Sequence, residues 1–312
     1  MLELLYAVLV GPVKDMAGAP AFLAEVIIGG LAAGLMYSLV ALGFVLIYKA
    51  SGVFNFAQGV MVLFAALTLV GLMERGAPPA LALLATMAVM GALAFAIERV
   101  VLRPLVNQEQ IILFMATIGL NFFLEGFGEL AWGSNVKKLD VGIPDSSFMV
   151  WGVQVNRLEL TAAITAAVLV AVMAVFFQRT RIGRALRAVA DDHEAALSIG
   201  IPLNTIWIVV WSAAGLVAIV AGIMWGAKSG VQFSLSLIAL KALPVLILGG
   251  FTSVPGAIVG GLIIGVGEKL AEVYWGPLVG GAIENWFAYV LALAFLLVRP
   301  QGLFGERIIE RV

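Results

Sequence analysis

Along this chain the apolar residues fall in long runs that stop at charges or at Gly/Pro clusters. The runs lie near residues 24–48, 52–73, 79–100, 110–131, 158–178, 203–226, 254–271 and 280–298. Most approach the roughly 20 residues that a helix needs to cross the hydrocarbon core of a bilayer, which predicts an all-α polytopic bundle of about eight transmembrane helices. A further apolar piece, Leu235–Gly250, has Lys241 near its middle and reads as a half-helix. A central Lys costs about 2.5 to 3.5 kcal/mol on insertion, and each Leu returns only about 0.3 to 0.6. Lys241 is therefore expected to reach water, protein or a headgroup.

Two stretches interrupt the apolar pattern with polar and flexible residues, at what the pattern predicts to be membrane depth. One is Lys49–Gly59, with Asn55 and Gln58; the other is Gly249–Gly256, with Thr252 and Ser253. Backbone that leaves a helix in lipid keeps its N–H and C=O groups satisfied only where protein or a water-filled cavity surrounds it. Such breaks mark an interior pathway. A helix restarting after one points partly positive N–H groups at whatever lies there, which suits a carboxylate. The preceding segments Ala41–Ile47 and Ala242–Leu248 resemble each other, and broken segments at corresponding places in two halves point to a transport site. Ordinary turns between helices are the alternative reading.

Charge orients the bundle. Arg179, Arg181, Arg184 and Arg187 follow the 158–178 run, and Arg299, Arg307 and Arg311 follow the last. Both groups, with Arg99 and Arg103, are expected on the cytoplasmic side. Residues 132–157 then form an outside loop, despite Lys137 and Lys138. Bringing Arg299 back to the side of Arg187 takes an even number of crossings, so 235–250 is expected to cross as well. Within the loop, Phe148–Val155 alternates about Trp151-Gly152 and predicts a small hairpin. The inside segment 179–202 is amphipathic and helix-capable, with Gly200 and Pro202 at its end. No polar linker divides residues 1–312, which read as a single transmembrane domain.

Composition narrows the class further. Apolar residues make up 62% of the 312, charged residues 12%, and the mean hydropathy is +1.10. Soluble domains average roughly 45 to 50% and about 25%, so a soluble globule is excluded. The absence of cysteine excludes disulfides, thiolate metal sites and a cysteine nucleophile, and the single His193 excludes a multi-histidine metal site. Eighteen basic against nineteen acidic residues give a net charge of -1 and no basic field for nucleic acid. No catalytic constellation is present, since His193 stands among Asp191, Asp192 and Glu194 on a solvated face. No G-x-x-x-x-G-K-[ST] loop occurs either, so any ATPase is another polypeptide. The start, Met-Leu-Glu-Leu, lacks a cationic region, and no cleaved signal peptide is expected.

The remaining polar residues divide by position. Asn121, deep in its span, reads as a pore-lining group or an interhelical hydrogen-bond donor. Glu125 and Glu129 near the outer end of that span either face a wet cavity or lie at the interface, with the interface preferred, and Glu98 with Arg99 and Glu268 with Lys269 read as interfacial anchors. Trp132, Trp151, Trp275 and Trp286 fit an aromatic belt. The spacings Gly30–Gly34, Gly256–Gly260 and Gly261–Gly265 allow close helix contact.

Several ordered motifs carry a family resemblance. Gly34-Leu35-Met36-Tyr37-Ser38-Leu39-Val40-Ala41-Leu42-Gly43-Phe44, followed by Asn55-Phe56-Ala57-Gln58-Gly59, resembles the start of permeases of branched-chain amino acid ABC importers. So do Gly183-Arg184-Ala185-Leu186-Arg187-Ala188 with the acidic patch and Ala195–Ile201, Leu248–Ala257, and the ending Arg299–Gly305. The likeness runs over nearly the whole chain after residue 22 and is nearer to the shorter, LivH type than to the longer LivM type. It implies a multi-pass protein of the bacterial inner membrane with a LivM-type second permease, two cytoplasmic ATPases and a periplasmic binding protein. This chain would bind no cofactor itself, with ATP and Mg on the ATPase subunits. The resemblance also makes Arg184–Gly200 the helix lodged against an ATPase. Coupling would run through Arg184, Arg187, Asp192, Glu194 and Gly200, while Asn55, Gln58, Asn121, Thr252 and Ser253 line or gate the substrate pathway. Alternating access without covalent chemistry is the implied mechanism, and the chain is not expected to be an enzyme. Branched-chain or other hydrophobic amino acids fit the apolar wall, and similar permeases carry urea, short amides or aromatic acids. An ion-coupled secondary transporter is the rival class, and it would need a buried acid that the sequence pattern does not reveal.

Overall fold

The computed structural model describes residues 6, 8–105, 108–191 and 193–305, and for 191 and 193–195 the backbone alone. The expected coupling residue Asp192, the side chains of His193 and Glu194, and the tail arginines Arg307 and Arg311 lie outside the described residues.

In chain order the helices begin with α1 (Gly11–Gly18), α2 (Pro20–Ser51), α3 (Gln58–Glu74) and α4 (Pro79–Ala96), which runs on through a π turn at Ile97–Leu102. There follow α5 (Gln110–Trp132), a hairpin of β1 (Ser147–Val150) and β2 (Val153–Asn156), α6 (Arg157–Arg179), α7 (Arg181–Asp191) and α8 (His193–Ser198). The chain ends with α9 (Leu203–Ser229), α10 (Ile238–Gly249) behind a 3-10 turn at Phe233–Leu237, α11 (Val254–Leu270), α12 (Gly276–Val279) and α13 (Phe287–Val298). Six helical stretches among the described residues are long and apolar enough to cross a membrane, and Gln58–Glu74, Phe233–Gly249 and Phe287–Val298 are shorter apolar helices. The chain is thus a multi-pass bundle of full spans and half-helices. The expected runs at 52–73 and 280–298 begin late for a local reason. Gly52 at φ +68 closes α2, and Gly280, Gly281 and Ala282 at φ +89, +85 and +60 hold a turn before α13.

Contacts sort the helix termini into two ends. At one, Lys137 pairs with Glu74, Arg75 donates to the Ala131 carbonyl at 3.2 Å, Lys228 pairs with Glu159 at 2.6 Å, and Lys137 bridges to Val231. The hairpin expected about Trp151-Gly152 sits on the loop there, with φ +50 and +82 at those two residues, as a two-residue turn of this hand requires. At the other end lie Arg187, Lys49, Thr252 and Phe304 around one cavity. The tail pairs back there, with Leu303 and Phe304 N–H donating to the Leu248 and Gly249 carbonyls at 2.8 and 3.1 Å. Arg299 therefore returns to the arginine end, as the even count of crossings requires.

The core is built around α2, whose residues from Met36 to Ile47 are all buried. Glycine makes this packing close. A Cβ on Gly34 would stand 2.5 Å from the Gly261 carbonyl oxygen, one on Gly265 2.4 Å from that of Gly30, and one on Gly260 2.6 Å from that of Val245. All three small-residue spacings are backbone contacts that join α2, α11 and α10.

Two sequence readings are corrected here. Glu98 and Glu268 are not interfacial, because each is only 2% exposed. Glu268 faces α10, where Lys241 donates to its carboxylate and to the Glu284 carbonyl, while Lys269 points outward to Glu284 at 3.5 Å. Lys241 thus meets protein, as its insertion cost demands. Glu98 lies in the π turn, with its Oε1 unbonded among the described residues.

Candidate functional site

Residues 52–57 carry the chain from α2 back into the bundle. The amide of Gln58 lies so close to Gly43 that a Cβ there would stand 2.2 Å from Nε2. Gly43 is eight residues before Ser51, where α2 ends, so α3 restarts about 12 Å inside that end. This break lies within the bundle, as its composition predicts. Its backbone is satisfied by side chains. Asn55 Oδ1 accepts from the Ala57 N–H at 3.1 Å, and Asn55 Nδ2 donates to Gln58 Oε1 at 3.4 Å. Thr117 Oγ1 on α5 accepts from the Phe56 N–H at 3.0 Å and donates to the Phe114 carbonyl at 2.8 Å. Asn55 and Gln58 are both fully buried, and Gln58 Nε2 has no partner among the described residues. Thr117 is the member that sequence reasoning missed, since a lone Thr in an apolar span carries no signal of its partner.

In front of this turn stands an aromatic wall. Phe44 and Phe54 stack at 4.8 Å between centroids, and Phe56 meets Phe114 edge-on at 6.3 Å. The wall borders a cavity of about 230 Å³ whose polar lining is Asn121, Glu125 and Ser236. Of the expected pathway residues, Asn121 reaches this cavity, whereas Asn55 and Gln58 lie behind its wall. Glu125 lines the cavity too, which favours the cavity over the interface of the two readings its position allowed.

Thr252 and Ser253 are elsewhere. The Gly249–Gly256 break lies at the arginine end and not at membrane depth, because α10 and α11 are arms of a hairpin that turns there. Lys49 donates to the Thr252 carbonyl at 3.4 Å, and Ser253 Oγ accepts from the Gly256 N–H at 3.0 Å, capping α11. Both residues share a cavity of about 190 Å³ with Arg187. The structure therefore brings the second break to the expected coupling segment.

That segment is anchored through its own residues. Arg187 donates to the Phe177 and Gln178 carbonyls at 2.7 and 3.3 Å, neutralising the carbonyl end of α6. Arg184 is exposed. Leu186 and Val189 are buried against the bundle, while Leu197 and Ile199 are 53% and 74% exposed beyond them. Gly200 closes α8 at φ +83, with the Gly200 and Ile201 N–H groups bonded to the Leu197 and Ala196 carbonyls at 3.0 Å each. Gly183 makes the α6–α7 corner, where a Cβ would fall 1.8 Å from the Phe177 carbonyl oxygen. Gly183→Ala is expected to destabilise the purified protein by about 1 to 3 kcal/mol through overpacking, read as a lower melting temperature. Unchanged melting would show that the corner has room.

Among the described residues no group of three or more His, Asp or Glu is placed to hold a metal ion. The arrangement offers a cavity with three polar residues on an apolar wall and a charged platform at one end.

Comparison with known proteins shows what the chain is similar to. Residues 26–299 match the family model described as the permease component of branched-chain amino acid transport systems. BraD of Pseudomonas aeruginosa, a high-affinity branched-chain amino acid transport system permease protein, is 30% identical over 92% of this chain and 97% of its own. LivH of Escherichia coli strain K12, of the same description, is 28% identical over 91% of this chain and 96% of its own. Among solved structures, a chain of PsaBC from Streptococcus pneumoniae in complex with Fab matches at a TM-score of 0.43 and 14% identity, over 86% of this chain and 89% of that one.

Proposed function

Because the chain belongs to the family of permease components of branched-chain amino acid transport systems, we propose that it carries branched-chain or other hydrophobic amino acids across the bacterial inner membrane. It is a permease subunit of an ABC importer and not an enzyme. Its partners in this reading are a LivM-type second permease, two cytoplasmic ATPases that hold ATP and Mg, and a periplasmic binding protein. The arginine end is then cytoplasmic and the hairpin loop periplasmic, within one permease domain.

The observation that carries the mechanism is the attachment of α7 and α8. This platform hangs on α6 through Arg187 and Gly183 and shares a cavity with Thr252 and Ser253 at the turn of the α10–α11 hairpin. A push on exposed Leu197 and Ile199 reaches α6 and that hairpin together. Rigid-body rocking of this kind converts ATPase closure into alternating access. In this reading Arg184, Arg187, Glu194 and Gly200 serve the platform, with Asp192 assigned to it from the sequence alone, Thr252 and Ser253 serve its seat, Asn121 lines the pathway, and Asn55 and Gln58 hold the turn behind its wall.

The test is purification of the tagged chain from its native membrane in mild detergent, with mass spectrometry of bound polypeptides and leucine uptake into proteoliposomes. Two ATPases, a second permease and ATP-dependent uptake are expected. Recovery of this chain alone, with uptake that needs an ion gradient and no ATP, overturns the reading.

A further inference from the structure

Glu125 lies seven residues before the end of α5 at Trp132, about 10 Å inside the helix terminus. A carboxylate within a span is costly unless it meets water or a cation. The ion pairs of the described residues use Lys137, Lys228, Lys241 and Lys269, and none of them reaches Glu125. It is half-buried and lines the cavity of about 230 Å³ described above, with Asn121 one turn deeper on the same helix. Phe44, Phe54 and Phe56 form the opposite wall, and Ser236 adds a hydroxyl. At about 30 Å³ per water, this space holds roughly eight waters or one small amino acid.

Such a cavity asks for a ligand with a cationic head and an apolar body. We propose that Glu125 binds the α-ammonium group of a hydrophobic amino acid, whose side chain packs on the Phe44, Phe54 and Phe56 wall. Ser236, whose hydroxyl already donates to the Phe233 carbonyl at 2.8 Å, accepts from the ammonium, and the Asn121 amide donates to the ligand's carboxylate. The inference rests on the importer reading and deepens it, because it makes Glu125 a specificity-determining residue. Urea and short amides lack the charge that would hold them there, and acids without an amine meet repulsion.

The test uses the reconstituted complex with its loaded binding protein and compares wild type with Glu125→Gln and Glu125→Asp. Leucine uptake is expected to fall about ten- to a hundredfold in Glu125→Gln, the range lost with one hydrogen bond to a charged group, and to recover in part in Glu125→Asp. The probe 3-methylbutylammonium, which is leucine without its carboxylate, is expected to inhibit the wild type but not Glu125→Gln, and 4-methylpentanoate to inhibit neither. Equal uptake by wild type and Glu125→Gln overturns the assignment, as does equal inhibition of both by the amine. Loss of the second permease from the purified Glu125→Gln complex also overturns it, since the partner of Glu125 is then a cation of that subunit. A wild type that imports no amino acid with ATP refutes the importer reading itself, and the ammonium site with it.

Discussion

Gly265→Val is expected to abolish recovery of the folded protein, while Gly29→Ala leaves it intact. A Cβ at position 265 would stand 2.4 Å from both the Gly30 carbonyl oxygen and the Gly34 N, and 2.5 Å from the Gly34 Cα. These are backbone atoms of α2, so no flexible side chain can move aside. Lipid tails are as apolar as leucine, and helices in a bilayer associate through close packing of this kind. Overpacking costs typically about 1 to 3 kcal/mol and more where backbone must shift, against a total stability of roughly 5 to 15. At Gly29 nothing lies within 4 Å of the added atom. Size-exclusion chromatography of detergent extracts distinguishes the two, and a monodisperse Gly265→Val peak at wild-type yield would refute the close contact of α2 with α11.

Lys241→Met and Glu268→Leu are each expected to destabilise the protein strongly, and the two together to recover most of the loss. Lys241 donates to the Glu268 carboxylate, which is almost wholly shielded. Removing Lys241 leaves the Glu268 carboxylate buried without its cation, which costs about 3 to 5 kcal/mol in such pairs, and removing Glu268 leaves Lys241 only the Glu284 carbonyl, whereas replacing both with apolar groups is often neutral. Thermal melting of the four proteins closes a double-mutant cycle. Additive losses would show that the two charges do not interact.

The spans, the hairpin and the arginine segment are legible in the sequence because each follows from local pattern. Depth is not local. The break after Ser51 lies inside the bundle because α2 runs for 32 residues and α3 restarts eight residues back along it, whereas the break after Gly249 sits at an end because its hairpin arms are of similar reach. Facing is not local either. Glu268 and Lys269 are neighbours in sequence, but successive helical residues point about 100° apart, so one meets Lys241 while the other meets Glu284. The composition identifies Asn55 and Gln58 as an interior turn, yet Thr117, which completes it, becomes visible only when α5 is laid beside α2 and α3, and the same juxtaposition selects the cavity reading of Glu125 over the interfacial one.

The Lys241–Glu268 pair also bears on how the chain is made. A ribosome delivers Phe233–Gly249 to the insertion channel before residue 268 has been translated, and this short helix then carries a lysine with no counter-charge. A lone central Lys opposes partitioning by about 2.5 to 3.5 kcal/mol, so the segment stays at the channel or the interface until Glu268 emerges on the following arm. The turn at Gly249–Gly256, where a Cβ on either terminal glycine would stand 2.2 Å from the carbonyl oxygen of the other, lets the two arms close at once. Insertion of α10 and α11 as a paired hairpin is therefore the expected route for this part of the chain.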